Sequence, residues 1–187
     1  MKKFASFAVA LMLVVGSAVA AEFKSGLEAG AGIGPFYVTK VAGPEDGVEI
    51  GKNLCYRCKN GARPQVMVFS RSSDEKIAGL VKKLDEAIAK NSDKQLCAFV
   101  NVLGESVDAA NASAKKLAAL TTGTKVPVVV PNEFANGPDN YGINPKAELT
   151  VIVASKGKVV SSAGFEKDAF CESCLEKVLA DVAEAVK

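Results

Sequence analysis

Pro64-Gln65-Val66-Met67-Val68-Phe69-Ser70-Arg71-Ser72-Ser73-Asp74 is the stretch that decides the fold. Its short run over residues 65–69 is β-branched and aromatic and follows a proline, which suits a strand buried on both faces in the middle of a sheet. Behind it, Ser73 or Asp74 supplies an N-cap. Ile77, Leu80, Val81, Leu84 and Ile88 then recur at helical spacing with lysines on the opposite face. Residues 96–103 form a second buried strand, and 107–120 an Ala-rich second helix. Strand, helix, strand, helix in this order predicts parallel strands joined by right-handed crossovers.

Downstream, residues 126–130 can add a short strand. Residues 132–144 form a loop punctuated by Gly137-Pro138, and Pro145 follows. Segments 149–153 and 158–162 flank Ser155-Lys156-Gly157, a hairpin signal. Asp168 is placed to cap a last helix, whose stripe of Cys171, Cys174, Leu175, Val178, Leu179, Val182 and Val186 is expected to face the core. Upstream, residues 36–41 alternate like a strand, and Gly43-Pro44-Glu45-Asp46-Gly47 turns the chain back toward Val48 and Ile50 as a hairpin. Gly30, Gly32 and Gly34 do not make a phosphate loop, because Pro35 and an extended segment follow where a helix is required. The fold class expected is α/β, a central mixed sheet flanked by helices with an N-terminal β-hairpin.

Residues 1–20 read as a secretory signal peptide: Lys2 and Lys3, an apolar run, then Ala18-Val19-Ala20. The run is too short for a comfortable membrane span, and none like it follows. Residues 21–34 are expected to be a flexible lead-in and 35–187 a single domain, in the periplasm or secreted, with no membrane partner. Removing Lys2 and Lys3 with the leader leaves 21 basic residues against 21 acidic ones. A near-neutral chain with 6% aromatics and no basic stripe argues against nucleic acid as a partner. With no histidine anywhere in the chain, Ser-His and Cys-His mechanisms are excluded. The five cysteines fall as Cys55-Tyr56-Arg57-Cys58, Cys97, and Cys171-Glu172-Ser173-Cys174.

This order of elements resembles the thioredoxin superfamily, in particular its exported redoxin branch. Ile33-Gly34-Pro35-Phe36-Tyr37-Val38 is similar to the redoxin opening, residues 65–69 to the central strand, and Tyr141-Gly142-Ile143 with 149–153 and Lys156-Gly157-Lys158-Val159 to the closing half. The resemblance implies a thioredoxin-like fold over nearly all of the chain after the leader. It also implies a redox CxxC directly after the central strand, where this chain has Ser70-Arg71-Ser72-Ser73. A cis-proline would face that motif near Ala147 or Leu149, and Pro145 is misplaced by a residue or more.

The chemistry therefore rests on the two displaced pairs. Cys55 and Cys58 are flanked by Arg57 and Lys59, cations that favour thiolate, so this pair is the candidate catalytic site for thiol–disulfide exchange with a disulfide-bearing protein partner. The alternative, from another class, is a non-catalytic binding or structural module stabilised by its disulfides. Cys171 and Cys174 form either a disulfide or a second redox pair; their place on an apolar face favours a structural role. Cys97 is expected to be a core thiol. Two CxxC pairs could also supply a four-thiolate zinc site, but the topology sends them to different ends of the sheet. Cys55-Tyr56-Arg57-Cys58-Lys59 is also similar to a rare haem attachment motif with Lys in place of His, for which axial ligands are lacking. No cofactor and no metal site are expected.

Overall fold

The computed structural model describes residues 23–187, so the leader expected over 1–20 lies outside the described residues. The chain runs through β1 (Val38–Ala42), β2 (Asn53–Leu54), α1 (Tyr56–Asn60), β3 (Gln65–Ser70), α2 (Glu75–Lys90), β4 (Cys97–Val102), α3 (Val107–Leu120), β5 (Val128–Pro131), β6 (Leu149–Ser155), β7 (Lys158–Phe165) and α4 (Glu172–Ala185). All strands join one sheet in the order β2-β1-β5-β4-β3-β6-β7. β3 is parallel to β4 and antiparallel to β6, and β4 is parallel to β5. The run in which the sequence pattern placed the sheet's middle is thus interior, and all six side chains of β3 are buried.

Because β3, β4 and β5 step in one direction across the sheet, two right-handed crossovers deliver α2 and α3 to the same face. α4 packs there as well, so Val66, Val68, Val100 and Val151 of the sheet lie under Leu80, Leu84, Leu117 and Val178. The alternate residues Met67, Phe69, Phe99 and Ile152 point the other way. They are covered by Ile33, Phe36, Tyr56 and Tyr141. Phe36 and Tyr141 meet edge to face at 4.9 Å, and the Tyr141 hydroxyl donates to the Gly34 carbonyl at 2.7 Å. The opening and closing halves of the chain therefore share this second core.

Three expectations need correction. The returning strand of the N-terminal hairpin is not at Val48 and Ile50 but at β2, with Val38 opposite Leu54; Ile50 is 70% exposed. The segment between wraps around the Lys40 side chain, whose ammonium donates to the carbonyls of Pro44 and Val48, and this delays the return of the chain. The lead-in is bound to the domain from Phe23 on. Ser25 bonds Thr150 through its hydroxyl, Gly26 N–H donates to Gly142, Gly30 N–H donates to Val159, and Ser162 donates to the Leu27 carbonyl. Asp168 sits in a left-handed turn at φ 60°, and the cap of α4 is Cys171. At α2 the cap is Asp74, which accepts from Ile77 N–H at 3.0 Å.

Candidate functional site

Cys55 and Cys58 are joined as a disulfide with their Cα atoms 5.2 Å apart. Cys55 is the N-cap of the one-turn helix α1, and its sulfur accepts the Cys58 N–H at 3.0 Å. Gly61, at φ 62°, ends the turn in a conformation that a residue with Cβ adopts only under strain. The two sulfurs are unequally placed: Cys55 is 8% exposed, whereas Cys58 is exposed.

The residues around the pair fix α1 to the sheet. Tyr56, between the cysteines in sequence, stacks on Phe99 at 5.6 Å, and its hydroxyl donates to Asp46 Oδ2 at 2.9 Å. Asp46 also accepts from the buried Lys40 ammonium at 2.8 Å and pairs with Lys59 at 3.7 Å. Burial alone would push the Asp46 carboxyl up, but the Lys40 and Tyr56 hydrogen bonds and the charges of Lys40 and Lys59 hold it below its usual value. Tyr56 shifts the other way, its phenol driven up by burial and by Asp46. Nothing in the sequence pattern marks Lys40 or Asp46, because a lysine in a short strand and an aspartate in a turn both read as solvated.

Cys171 and Cys174 form the second disulfide, with Cα atoms 5.0 Å apart. The expected stripe along α4 holds for Leu175, Val178 and Val182, which are buried. It fails for the cysteines: Cys171 is exposed and Cys174 half-buried. The cap position lies outside the helical repeat, so Cys171 does not share the face of the residues that follow. Cys97 is likewise not a core thiol; it is half-buried at the start of β4, and its sulfur donates to the Gln95 carbonyl at 3.2 Å. Burial raises the Cys97 thiol above its ordinary value, against the weaker opposing pull of Arg63 and Lys59.

The two pairs stand on opposite faces of the sheet, Tyr56 in the core under α1 and Leu175 in the core under α4. With a packed layer standing about 10 Å from the sheet it covers, no ion spans them. Each pair is closed on itself. Among the described residues, no three or more of His, Cys, Asp and Glu gather where they could hold a metal. Lys59, the Lys of the haem-like motif, is turned to Asp46 and lies over the Tyr56 ring.

The corner after β3 carries no thiol. Ser70 Oγ donates to the Ser72 carbonyl, and Ser72 N–H donates back to that oxygen. The Arg71 guanidinium reaches across to the carbonyls of Ala147 and Ala135 and to Asn136 Oδ1. Arg71 thus ties the end of β3 to two loops where the resemblance implies a CxxC and a facing proline. Among the described residues no peptide bond is cis, Pro145 included.

A protein from Chlorobium tepidum described as a candidate thiol:disulfide interchange protein DsbE superposes with a TM-score of 0.62 at 15% identity, covering 86% of this chain and 99% of that one. This chain has the thioredoxin-like fold. The same thioredoxin-like fold is met in a candidate protein disulfide isomerase from Bacteroides thetaiotaomicron, with a TM-score of 0.57 and 12% identity over 88% and 94% of the two chains. It is met again in the exposed lipoprotein thioredoxin Etrx1 of Streptococcus pneumoniae, with a TM-score of 0.53 and 18% identity over 81% and 99%. No family model matches the sequence, and no curated protein matches it. The thioredoxin-like fold here carries its first disulfide on α1, before the central strand. Among the described residues, no helix is long and apolar enough to cross a membrane.

Proposed function

We propose that this is an exported thioredoxin-fold protein that exchanges disulfides with protein partners through Cys55 and Cys58. The observation that carries the proposal is the asymmetry of the pair: an exposed Cys58 sulfur bonded to a buried Cys55 sulfur that already accepts a backbone N–H. Arg57 and Lys59 add positive charge on either side of Cys58. Export rests on the leader read in residues 1–20.

A partner thiolate attacks Cys58 Sγ, the Cys55–Cys58 bond breaks, and its electron pair leaves on Cys55 Sγ. The partner's second thiolate then attacks its own sulfur in the mixed disulfide and releases Cys58. Two electrons and two protons pass from the partner dithiol to the cysteine pair, and the partner leaves as a disulfide. With the pair reduced, the same steps run backward, Cys58 attacking a partner disulfide and Cys55 resolving it.

The test uses a chain whose Cys97, Cys171 and Cys174 are already Ser, so that only this pair is read. Exchange with a dithiol peptide is expected to vanish with Cys58→Ser. With Cys55→Ser, reaction with the oxidised, disulfide-bridged form of the peptide should leave a mixed disulfide on Cys58, because the resolving sulfur is gone. Exchange unchanged by either substitution, or no exchange in the parent, refutes the proposal.

A further inference from the structure

We propose that the Cys171–Cys174 disulfide is a second dithiol–disulfide centre, entered at Cys171, whose partner is a protein segment bearing a cysteine pair beside cationic residues. Three observations converge on it. Cys171 is exposed while Cys174 is half-covered, the inequality of sulfurs that a two-step exchange uses. The Ser173 hydroxyl lies 3.2 Å from Cys171 Sγ, close enough to hydrogen-bond a thiolate released there. Cys171 also stands at the N-cap position of α4, a helix of 14 residues, with its sulfur not engaged by the first-turn N–H groups and so left to react.

The position adds a docking surface. In register, Leu149 lies opposite both Ser70 and Phe165, so β7 ends level with the Arg71 corner, and α4 starts seven residues later. Phe170, next to Cys171, packs on Phe165 at 5.1 Å and walls a shallow cleft that also takes in Ser72 and Leu149. Asp74, Glu148, Glu166 and Asp168 line this cleft against the single cation Lys76. A segment passing over its acidic rim toward Cys171 meets net negative charge, which favours lysine or arginine beside the reacting cysteine.

In the step itself a partner thiolate attacks Cys171 Sγ, the Cys171–Cys174 bond breaks, and Cys174 leaves as a thiolate that takes a proton from water. The partner's second thiolate then displaces Cys171, so the partner dithiol becomes a disulfide and the α4 pair a dithiol. This centre does not depend on Cys55 or Cys58, because the sheet lies between the two pairs.

The test is made on the full chain with Cys55, Cys58 and Cys97 replaced by Ser, its fold checked by circular dichroism, and the probe is a synthetic dithiol peptide flanked by lysines. Exchange is expected about ten-fold or more above that of a chain lacking all five cysteines. Adding Cys174→Ser and offering the oxidised, disulfide-bridged form of the peptide should trap it on Cys171, whose thiolate opens the peptide disulfide, whereas adding Cys171→Ser should trap nothing. A glutamate-flanked peptide should react several-fold slower at low salt, the gap closing as salt rises. A rate equal to the cysteine-free control, trapping on Cys174 instead, or faster reaction of the acidic peptide overturns the proposal. If the triple variant does not fold, wild-type protein treated with the lysine peptide and then alkylated decides the matter: label on Cys171 and Cys174 upholds the centre, and their protection overturns it.

Discussion

Lys40 points its ammonium into a pocket of three acceptors, Pro44 O, Asp46 Oδ1 and Val48 O, and is only 2% exposed. A buried cation is tolerated when it is both paired and hydrogen-bonded, and Asp46 supplies the charge. Asp46→Asn should therefore cost about 2–3 kcal/mol in urea unfolding, the scale of a hydrogen bond to a charged group. The folded carboxyl is held below its unfolded value, so its contribution is complete above the unfolded value near pH 4 and fades as pH falls through the folded one. Wild type should lose more stability than Asp46→Asn between pH 5 and pH 2, roughly the window in which such a carboxylate titrates. Arg71 works at the same scale. Arg71→Ala removes its bonds to Ala135, Ala147 and Asn136, and about 2 kcal/mol of stability should go with them while exchange at Cys58 stays the same. Neither residue was legible in the sequence, since a polar side chain declares no partner until the fold brings one to it.

Elements with a strong period were legible, and those set by one long-range contact were not. The residues chosen for the inner face of α2 pack, as do those chosen for the last helix apart from Cys171 and Cys174, and β3, β4, α3 and the β6–β7 hairpin lie where the apolar runs and the Lys156-Gly157 turn placed them. β2 escaped because its two residues carry no pattern and its place depends on the wrap around Lys40. The N-terminal segment escaped because its small residues read as loose chain, yet small residues are what its path demands. A Cβ on Gly164 of β7 would come within 2.5 Å of Ser25 Cβ and 3.0 Å of the Phe23 carbonyl. Gly164→Ala should therefore lift residues 23–27 off the sheet and cost about 1–3 kcal/mol, the range for forcing a methyl into a packed site. Hydrogen exchange should show this as faster labelling at Gly26, whose N–H donates to Gly142, with the α2 amides unchanged.

For the molecule as a whole, the question is what the disulfides hold. Each closes a loop of sequence separation 3, the least effective kind of cross-link for restricting an unfolded chain. The chain-entropy relation gives such a loop about 2 kcal/mol at most. The seven-stranded sheet is meanwhile covered on both faces, by α2, α3 and α4 on one and by Phe36, Tyr56 and Tyr141 on the other, and neither core cluster includes a cysteine. The fold should therefore outlast reduction of both pairs. Full reduction is expected to leave the circular dichroism spectrum intact and to lower the stability in urea by no more than about 4 kcal/mol for the two loops together. That tolerance separates the two classes of function the sequence left open: an exchange protein must stay folded in both redox states, whereas stabilising bridges are needed to keep the state folded. Unfolding on reduction at neutral pH, without denaturant, would assign the pairs to structure and remove the exchange chemistry from α1 and α4 alike.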